Sequence, residues 1–512
     1  MTIREKLGQM LMFGFPGKTL DDISLRLIRE YKCGNIILFS HNIESAGQLR
    51  SLCEVIQKEV FTHTGRPAFI AVDQEGGVVS RMPEDATNFP SPMAVSSTGI
   101  VKNAYLAGFC TASELCDMGV NFNMAPCMDL NTNPANPVIG VRSYGDSHER
   151  ATPYALAMIH GLMDGGVISC AKHFPGHGDT AVDSHLGLPS VDKTEEELLS
   201  NELLPFIDAI RDGVPSMMTS HILFPKIEKR KVPATMSSVI LKDLLREKLG
   251  FTGIIISDSL EMDAISKYYG TTDGFVESLR AGVNIGCISH SPSVAIEALE
   301  KAEQAVENNT LGMEDLDASV EIILDQKQKF AALKPRTYLA GSPLHRESAL
   351  SISKKSIVRI GRSDNMPLPD KNTFFTGCYA YRATFASSAL NHDVSFAEYM
   401  ASTFGGQFSV TPVNPKESNI SESLNKTHTG QTVVICTYNG HINREQIELV
   451  NALCENRRCV IAVAMRNPYD LAMIDDRAYK LAAFEYTPLS LKSVELVLRG
   501  APCEGKLNII MK

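Results

Sequence analysis

Short apolar runs alternate with amphipathic stretches along residues 8 to 290 of the chain. Eight of these runs have the length and composition of buried strands. They cover residues 9–15, 34–39, 68–73, 119–126, 167–174, 216–224, 253–259 and 282–289. Several intervening segments repeat apolar residues at helical spacing, as Leu49, Leu52, Ile56 and Val60 do. Eight strand–helix units in succession predict a parallel (β/α)8 barrel of the TIM type, an α/β fold.

A second alternation of apolar and amphipathic segments follows a break in the pattern near residue 335. Its strand-like runs lie at residues 356–361, 372–378, 431–440, 457–474 and 478–487. We predict a barrel domain over residues 1–335, a linker over 336–350 and a smaller α/β sandwich domain over 351–512. The second region contains neither a Gly-rich phosphate loop nor a cluster of catalytic residue types, so we expect the chemistry on the barrel.

The composition is typical of a globular protein, with 44% hydrophobic and 21% charged residues. No apolar run approaches the roughly 20 residues that cross a bilayer, and no signal peptide is evident, so we expect a cytoplasmic protein without a membrane segment. The net charge of −10 and the lack of a Lys/Arg block argue against a nucleic-acid partner. The twelve cysteines form no CxxC pair, so we expect reduced, mostly buried thiols.

Polar residues close four of the predicted barrel strands. Asp73 ends the third run, Lys172 and His173 the fifth, His221 the sixth and Asp258 the seventh. In a TIM barrel the carboxyl ends of the strands carry the active site. A single residue of this kind is explained equally well as a helix N-cap, but five on one rim predict a functional site.

The loop after the fifth strand, residues 172–189, holds three histidines and two aspartates. Asp183 precedes His185 by two residues, a spacing at which a carboxylate can orient an imidazole for acid and base chemistry. His173, His177, Asp183 and His185 are also metal-ligand types, but they match neither HExxH nor HxH. We therefore expect no metal and no other cofactor, and we expect His177 to hold the loop together through hydrogen bonds.

Asp258 is the candidate nucleophile, because the apolar and small residues before it form a strand that aims its carboxylate into the barrel mouth. Glu261 and Asp263 are rival carboxylates. They lie three and five residues further along, where we expect a helix and its preceding loop.

These segments resemble glycoside hydrolase family three, specifically its β-N-acetylglucosaminidase branch, and the resemblance covers nearly the whole chain. The segments that carry it are KHFPGHGDTAVDSH (172–185), IISDSLEMDAI (255–265), AVDQEGGVVSRMP (71–83), NFNMAPCMDLNTNP (121–134), IGVRSYG (139–145), SHILFP (220–225), NPYDLAM (467–473) and VLRGAPCEGKLNI (497–509).

The resemblance implies roles for the matching residues. Asp258 matches the nucleophile, and His185, backed by Asp183, matches the acid/base dyad that this branch has instead of a second carboxylate. The sugar-binding candidates are Asp73, Arg81, Arg142, Lys172, His173 and, in the matching segment SHILFP, His221. Val78 departs from the pattern, since related sequences often carry Arg there.

The activity implied is that of a retaining exo-β-N-acetylglucosaminidase acting on oligosaccharides with a terminal N-acetylglucosamine. Cell-wall fragments (muropeptides) or chitin fragments are the expected substrates, as in peptidoglycan recycling. Two alternatives stay open: a phosphorylase, since a site without a second carboxylate repels phosphate less, and a non-catalytic sugar-binding protein. The oligomeric state and the sugar that follows the N-acetylglucosamine are open as well.

Overall fold

The computed structural model describes residues 1–180, 187–331, 339–381, 387, 395–456 and 458–511. Its N-terminal part contains a closed barrel of eight parallel strands in sequence order. The strands are β1 (Leu11–Phe13), β2 (Asn35–Ile37), β3 (Phe69–Val72), β4 (Phe122–Asn123), β5 (Ile168–Phe174), β6 (Ser216–Thr219), β7 (Ile254–Ser259) and β8 (Ile285–Ile288). The barrel closes because β1 pairs with both β2 and β8: Met12 of β1 lies opposite Asn35 of β2 and Cys287 of β8. Every strand lies inside a predicted apolar run, which confirms the predicted barrel.

Helices alternate with the strands of the barrel. Their bounds are Ile3–Gln9, Asp22–Arg29, Ala46–Thr64, Pro92–Ser97, Val101–Asp117, His148–Asp164, Glu195–Leu199, Leu204–Arg211, Val239–Lys248, Asp263–Ser266, Thr271–Ala281, Pro292–Glu307 and Met313–Phe330. One helix begins at a capping box, where the Glu197 amide donates to Thr194 Oγ1 at 3.2 Å and the Thr194 amide donates to Glu197 Oε2 at 2.6 Å. The reciprocal bonds satisfy two donors that a helix start otherwise leaves without partners.

The second domain is built on a six-stranded sheet. The strands are β9 (Val358–Ile360), β10 (Phe374–Cys378), β11 (Gln407–Thr411), β12 (Thr432–Thr437), β13 (Cys459–Ala464) and β14 (Tyr479–Ala482). Their order in the sheet is β11-β10-β12-β13-β14-β9. All neighbours are parallel except β14 and β9. The helices that accompany the sheet are Pro343–Ser356, Phe396–Phe404, Glu417–Asn425, Arg444–Glu455 and Pro488–Leu498.

Helices cover both faces of this sheet. Ile447 and Leu453 of one helix pack on one face, and Phe396 and Val494 of two other helices pack on the opposite face. The predicted α/β sandwich is thereby confirmed. Strand β11 was not predicted, because it lies at the sheet edge with Phe408 exposed and has no continuous apolar run.

Helix Pro343–Ser356 begins inside the segment predicted as a linker and packs against both domains. Its His345 contacts Glu114 of the barrel at 2.7 Å, and its Ser353 hydroxyl is 2.7 Å from that of Ser493 in the second domain. The exact domain boundaries stay a prediction.

An apolar cluster joins the two domains. Val78, Val79 and Val141 of the barrel belong to the same buried cluster as Tyr469 and Phe484 of the second domain. Val78 is only 6% exposed there, so the second domain gives a physical reason for an apolar side chain where related sequences often carry Arg.

All twelve cysteines are free thiols, as expected, and nine of them are buried. None of the helices in the described part of the chain combines the length and the hydrophobicity that spanning a bilayer requires.

Candidate active site

A cavity of about 640 Å³ opens at the carboxyl ends of the barrel strands. Most of the residues singled out in the sequence reach it. The predicted site residues that line it are Asp73, Arg81, Arg142, Lys172, His173 and Asp258. The fold therefore collects, on one rim, side chains that are up to 185 positions apart in the sequence.

Glu75 is the centre of a buried ion network on one wall of the cavity. Arg142 donates to it twice, from Nε to Oε2 at 2.8 Å and from Nη2 to Oε1 at 2.7 Å. Lys172 Nζ lies 2.8 Å from Glu75 Oε1 and 2.7 Å from Asp73 Oδ1. Two cations and two carboxylates thus hold each other in fixed positions.

The charges of this network are maintained by their neighbours. Burial opposes ionisation of Glu75, but Arg142 and Lys172 hold the pKa of its carboxyl well below the usual range. Burial likewise opposes the charge of Lys172, yet Asp73 and Glu75 raise its pKa above the ordinary value. Glu75 and Lys172 are therefore both ionised near neutral pH.

Asp129 orients the two histidines of the loop after β5. Its Oδ2 lies 2.6 Å from His173 Nδ1, and its Oδ1 accepts the His177 amide at 2.6 Å. Burial opposes the charge of Asp129, but His173 and His177 lower its pKa overall. With Nδ1 held by the carboxylate, we assign Nε2 of His173 to the cavity side, where it lies 3.4 Å from Arg142 Nη2.

His177 has the geometry of a loop-holding residue, which supports the role expected for it. Its Nδ1 is 2.8 Å from Thr180 Oγ1, and its carbonyl accepts the Asn136 amide group at 2.9 Å. Burial and the neighbouring His173 lower the pKa of His177 to about 4, so its imidazole is neutral at pH 7.

Asp258 lies at the end of β7, and its Oδ1 accepts the Ser259 amide at 2.7 Å. Its two rivals also line the cavity. Glu261 accepts the His290 amide at 2.6 Å, while Asp263 begins a short helix and forms an ion pair with Lys267 at 2.7 Å. Asp258 is thus the only one of the three that the strand itself carries.

His221 contacts the end of β7 through its imidazole ring. Its Nε2 lies 2.9 Å from the Ser259 carbonyl and its Nδ1 lies 2.8 Å from Thr235 Oγ1. Nε2 therefore contacts the backbone of the residue that follows Asp258, and a contact of His221 with a ligand stays a prediction. Asp183 and His185 lie outside the described residues.

Two site residues were given no role in the sequence analysis. Glu75 and Asp129 both lie in segments quoted for the resemblance, but neither closes a predicted strand. Asp129 stands alone between Met128 and Leu130, which was an available signal, whereas Glu75 follows Asp73 and Gln74 and no local pattern singles it out. A buried carboxylate needs cations or donors around it, and those partners come from other segments of the chain.

Among the described residues, one group of side chains is compact enough to share a metal ion: Cys127, Asp129 and His173. Hydrogen bonds already connect these atoms, since Cys127 Sγ lies 3.2 Å from Asp129 Oδ2, which also contacts His173. Burial raises the pKa of the Cys127 thiol well above its usual value, so the sulfur keeps its proton. The chemistry of this group is that of a hydrogen-bonded cluster.

Comparison with known proteins places these features in a family. Residues 2–325 match the family model described as the glycosyl hydrolase family 3 N-terminal domain. Beta-hexosaminidase A of Pseudoalteromonas piscicida is 35% identical over 413 residues, which cover 72% of this chain and 69% of that protein. A beta-hexosaminidase of Thiobacillus denitrificans is 35% identical over 306 residues, or 57% of this chain and 81% of that protein.

The similarity to solved structures extends over both domains. The structure of a glycoside hydrolase family 3 beta-N-acetylglucosaminidase from Paenibacillus sp. superposes with a TM-score of 0.92 at 33% identity. The match covers 100% of this chain and 99% of that one.

Chelation of metal ions is predicted to leave the protein as stable as before, because hydrogen bonds occupy the polar atoms of Cys127, Asp129 and His173. We expect the melting temperatures after EDTA treatment and after addition of Zn²⁺ to agree within about 1 °C. Scanning calorimetry with parallel determination of metal content provides the test. Stoichiometric zinc together with a rise of several degrees would show that the cluster is a metal site.

Proposed function

The chain belongs to glycosyl hydrolase family 3, and from this premise we propose that it is a retaining exo-β-N-acetylglucosaminidase. Membership makes it a glycoside hydrolase. The observation that carries the proposal is the position of Asp258 in one cavity with the ion network of Asp73, Lys172 and Arg142. β3 and β7 are four strands apart in a ring of eight, so Asp73 and Asp258 close strands on opposite sides of the cavity. A sugar ring between them would meet a nucleophile on one side and hydrogen-bonding charges on the other.

The ion network suits a ligand rich in hydroxyl groups. Asp73 offers carboxylate oxygens that accept hydrogen bonds, and Lys172 and Arg142 offer donors fixed by Glu75. His173, held by Asp129, adds a ring nitrogen on the same wall. Groups held in place before binding lose little freedom when the sugar arrives, which favours affinity and orientation.

In the proposed mechanism Asp258 attacks the anomeric carbon and forms a covalent glycosyl-enzyme, while His185 donates a proton to the departing oxygen. His185 then takes a proton from water, and the resulting hydroxide releases the sugar from Asp258. Asp183 orients the imidazole and stabilises its protonated form. The roles of Asp183 and His185 rest on the family resemblance of the segment that contains them.

Charge supports water rather than phosphate as the acceptor. Among the described residues, five carboxylates and three cationic side chains line the cavity: Asp73, Glu75, Asp258, Glu261 and Asp263 against Arg81, Arg142 and Lys172. The excess of negative charge opposes entry of a phosphate anion. It therefore favours hydrolysis over the phosphorylase alternative.

We propose cell-wall fragments (muropeptides) as the natural substrates, with chitin fragments as substrates of the same site. Both end in N-acetylglucosamine and so present the same ring to the pocket. A cytoplasmic location agrees with peptidoglycan recycling and stays a prediction.

Product analysis tests the reaction class. We expect muropeptides and chitobiose to release free N-acetylglucosamine at a rate that added inorganic phosphate leaves unchanged. Chromatography of the products identifies the released sugar. Appearance of N-acetylglucosamine 1-phosphate would establish the phosphorylase instead, and binding without any product would establish a sugar-binding protein.

Asp258→Asn is predicted to lower turnover of an aryl N-acetylglucosaminide by about three orders of magnitude or more, because the amide cannot serve as the nucleophile. Asp263→Asn is the matched control, and we expect it to stay within about threefold of wild type. Steady-state kinetics and circular dichroism separate loss of chemistry from loss of fold. If Asp258→Asn keeps more than about a tenth of the wild-type rate, Glu261 or Asp263 becomes the nucleophile.

His185→Ala is predicted to lose about 10²- to 10⁴-fold on substrates with poor leaving groups, because these need a proton from a general acid. Activated aryl glycosides should still form the glycosyl-enzyme quickly and then release it slowly, which gives a burst. Asp183→Ala should weaken both steps less, since it transfers no proton itself. Pre-steady-state kinetics across leaving groups of different pKa give the answer. An equal loss on all substrates without a burst would make His185 a binding residue and His177 the next candidate.

A further inference from the structure

We propose that the second domain positions Arg142 through a hydrogen bond from Asn131 to the Tyr469 hydroxyl. The inference rests on the proposed role of Arg142 in sugar binding, and it assigns Tyr469 as a positioning residue. Tyr469 lies in a short helix of the second domain, Pro468–Ala472, and Asn131 lies in the loop of the barrel that follows β4.

Asn131 connects Tyr469 to the backbone beside Arg142. Its Nδ2 donates to the Tyr469 hydroxyl at 2.8 Å, and its Oδ1 accepts the Gly140 amide at 3.1 Å. Gly140 begins the helical turn Gly140–Arg142. The amide side chain is therefore oriented by the second domain at one end, and it holds the start of the Arg142 turn at the other end.

The second domain also contacts this turn directly. Gly140 has a φ of +46°, and a Cβ atom there would lie only 2.5 Å from Asn467 Oδ1. Val141, the next residue, is fully buried in the apolar cluster that both domains share. The second domain therefore supports the turn at two consecutive residues, through Asn131 and Asn467 at Gly140 and through the apolar cluster at Val141.

Arg142 depends on this support because its own bonds demand accurate placement. Both guanidinium contacts to Glu75 are short, at 2.7 and 2.8 Å, and Nη1 donates to the Val138 carbonyl of the same loop at 3.3 Å. A bidentate bond of this kind loses alignment when the backbone that carries the arginine shifts by a fraction of an ångström.

A second contact braces the neighbouring loop, which carries Glu75. The Glu485 carboxylate of the second domain is buried, and its Oε2 accepts the Ser91 amide at 2.7 Å. The same oxygen packs against Gly77, where a Cβ atom would collide with it. Both partners of the Arg142–Glu75 pair are thus braced from the second domain.

Tyr469→Phe tests the proposal, because it removes the hydroxyl and keeps the ring in the apolar cluster. We expect KM for a GlcNAc glycoside and the inhibition constant of free N-acetylglucosamine to rise about 3- to 10-fold, with a smaller change in kcat. Tyr399→Phe is the matched control, since that hydroxyl donates to Glu495 within the second domain at 2.8 Å, and we expect wild-type constants.

Hydrogen exchange measures how stably the loop is held, independently of enzymatic activity. In Tyr469→Phe we expect amide exchange of the 131–145 segment to accelerate at least about threefold while the β7 segment is unchanged. In a double-mutant cycle, Asn131→Ala combined with Tyr469→Phe should be no worse than Asn131→Ala alone.

Three results would overturn the proposal: unchanged exchange in the 131–145 segment, accelerated exchange with unchanged sugar affinity, or independent effects of the two substitutions. A wild-type protein that neither cleaves nor binds the sugar would instead refute the proposed function. The exchange measurement would still decide whether Tyr469 holds the loop.

Discussion

The Arg142–Glu75–Lys172 ion network is the constraint on which the rest of the site depends. Burying a carboxylate costs several kcal/mol unless cations and donors surround it, and removing one partner of a buried pair destabilises a protein by roughly 3–5 kcal/mol. Glu75 is therefore tolerated only because Arg142 and Lys172 arrive from other segments of the barrel. Because these ion pairs hold the side chains in place, the charged groups that line the cavity have little freedom to move.

The barrel separates this network from Asp258, the proposed nucleophile. Asp73 directly follows β3 and Lys172 lies in β5, whereas Asp258 lies at the end of β7 across the ring. The separation places Asp258 on a different strand from the groups that pair with Glu75. In the proposed mechanism this arrangement divides two roles, since one side would bind and orient the sugar and the other would carry the nucleophile.

The second domain packs against the loops of the barrel that carry site residues. Val78, Val141 and Phe484 belong to one apolar cluster, so the loops that carry site residues are also parts of the domain interface. Glu485 is buried at this interface, and its pKa is raised to about 7 by burial, with its hydrogen bond to the Ser91 amide acting in the opposite direction. The burial of Glu485 and of the apolar cluster shows that the two domains are closely packed at this contact.

The sequence by itself determined the barrel, the sandwich and most of the rim. Short apolar runs that alternate with helical segments predict parallel strands, and the carboxyl ends of the strands in a barrel lie on one face. Asp73, Lys172, His173 and Asp258 were all located in this way. Only the tertiary structure decided that Glu75 pairs with Lys172, that Asp129 orients His173, that His221 contacts the Ser259 carbonyl, and that β11 completes the second sheet. These outcomes depend on contacts between segments that are far apart in the chain, and a local pattern of residues does not predict such contacts.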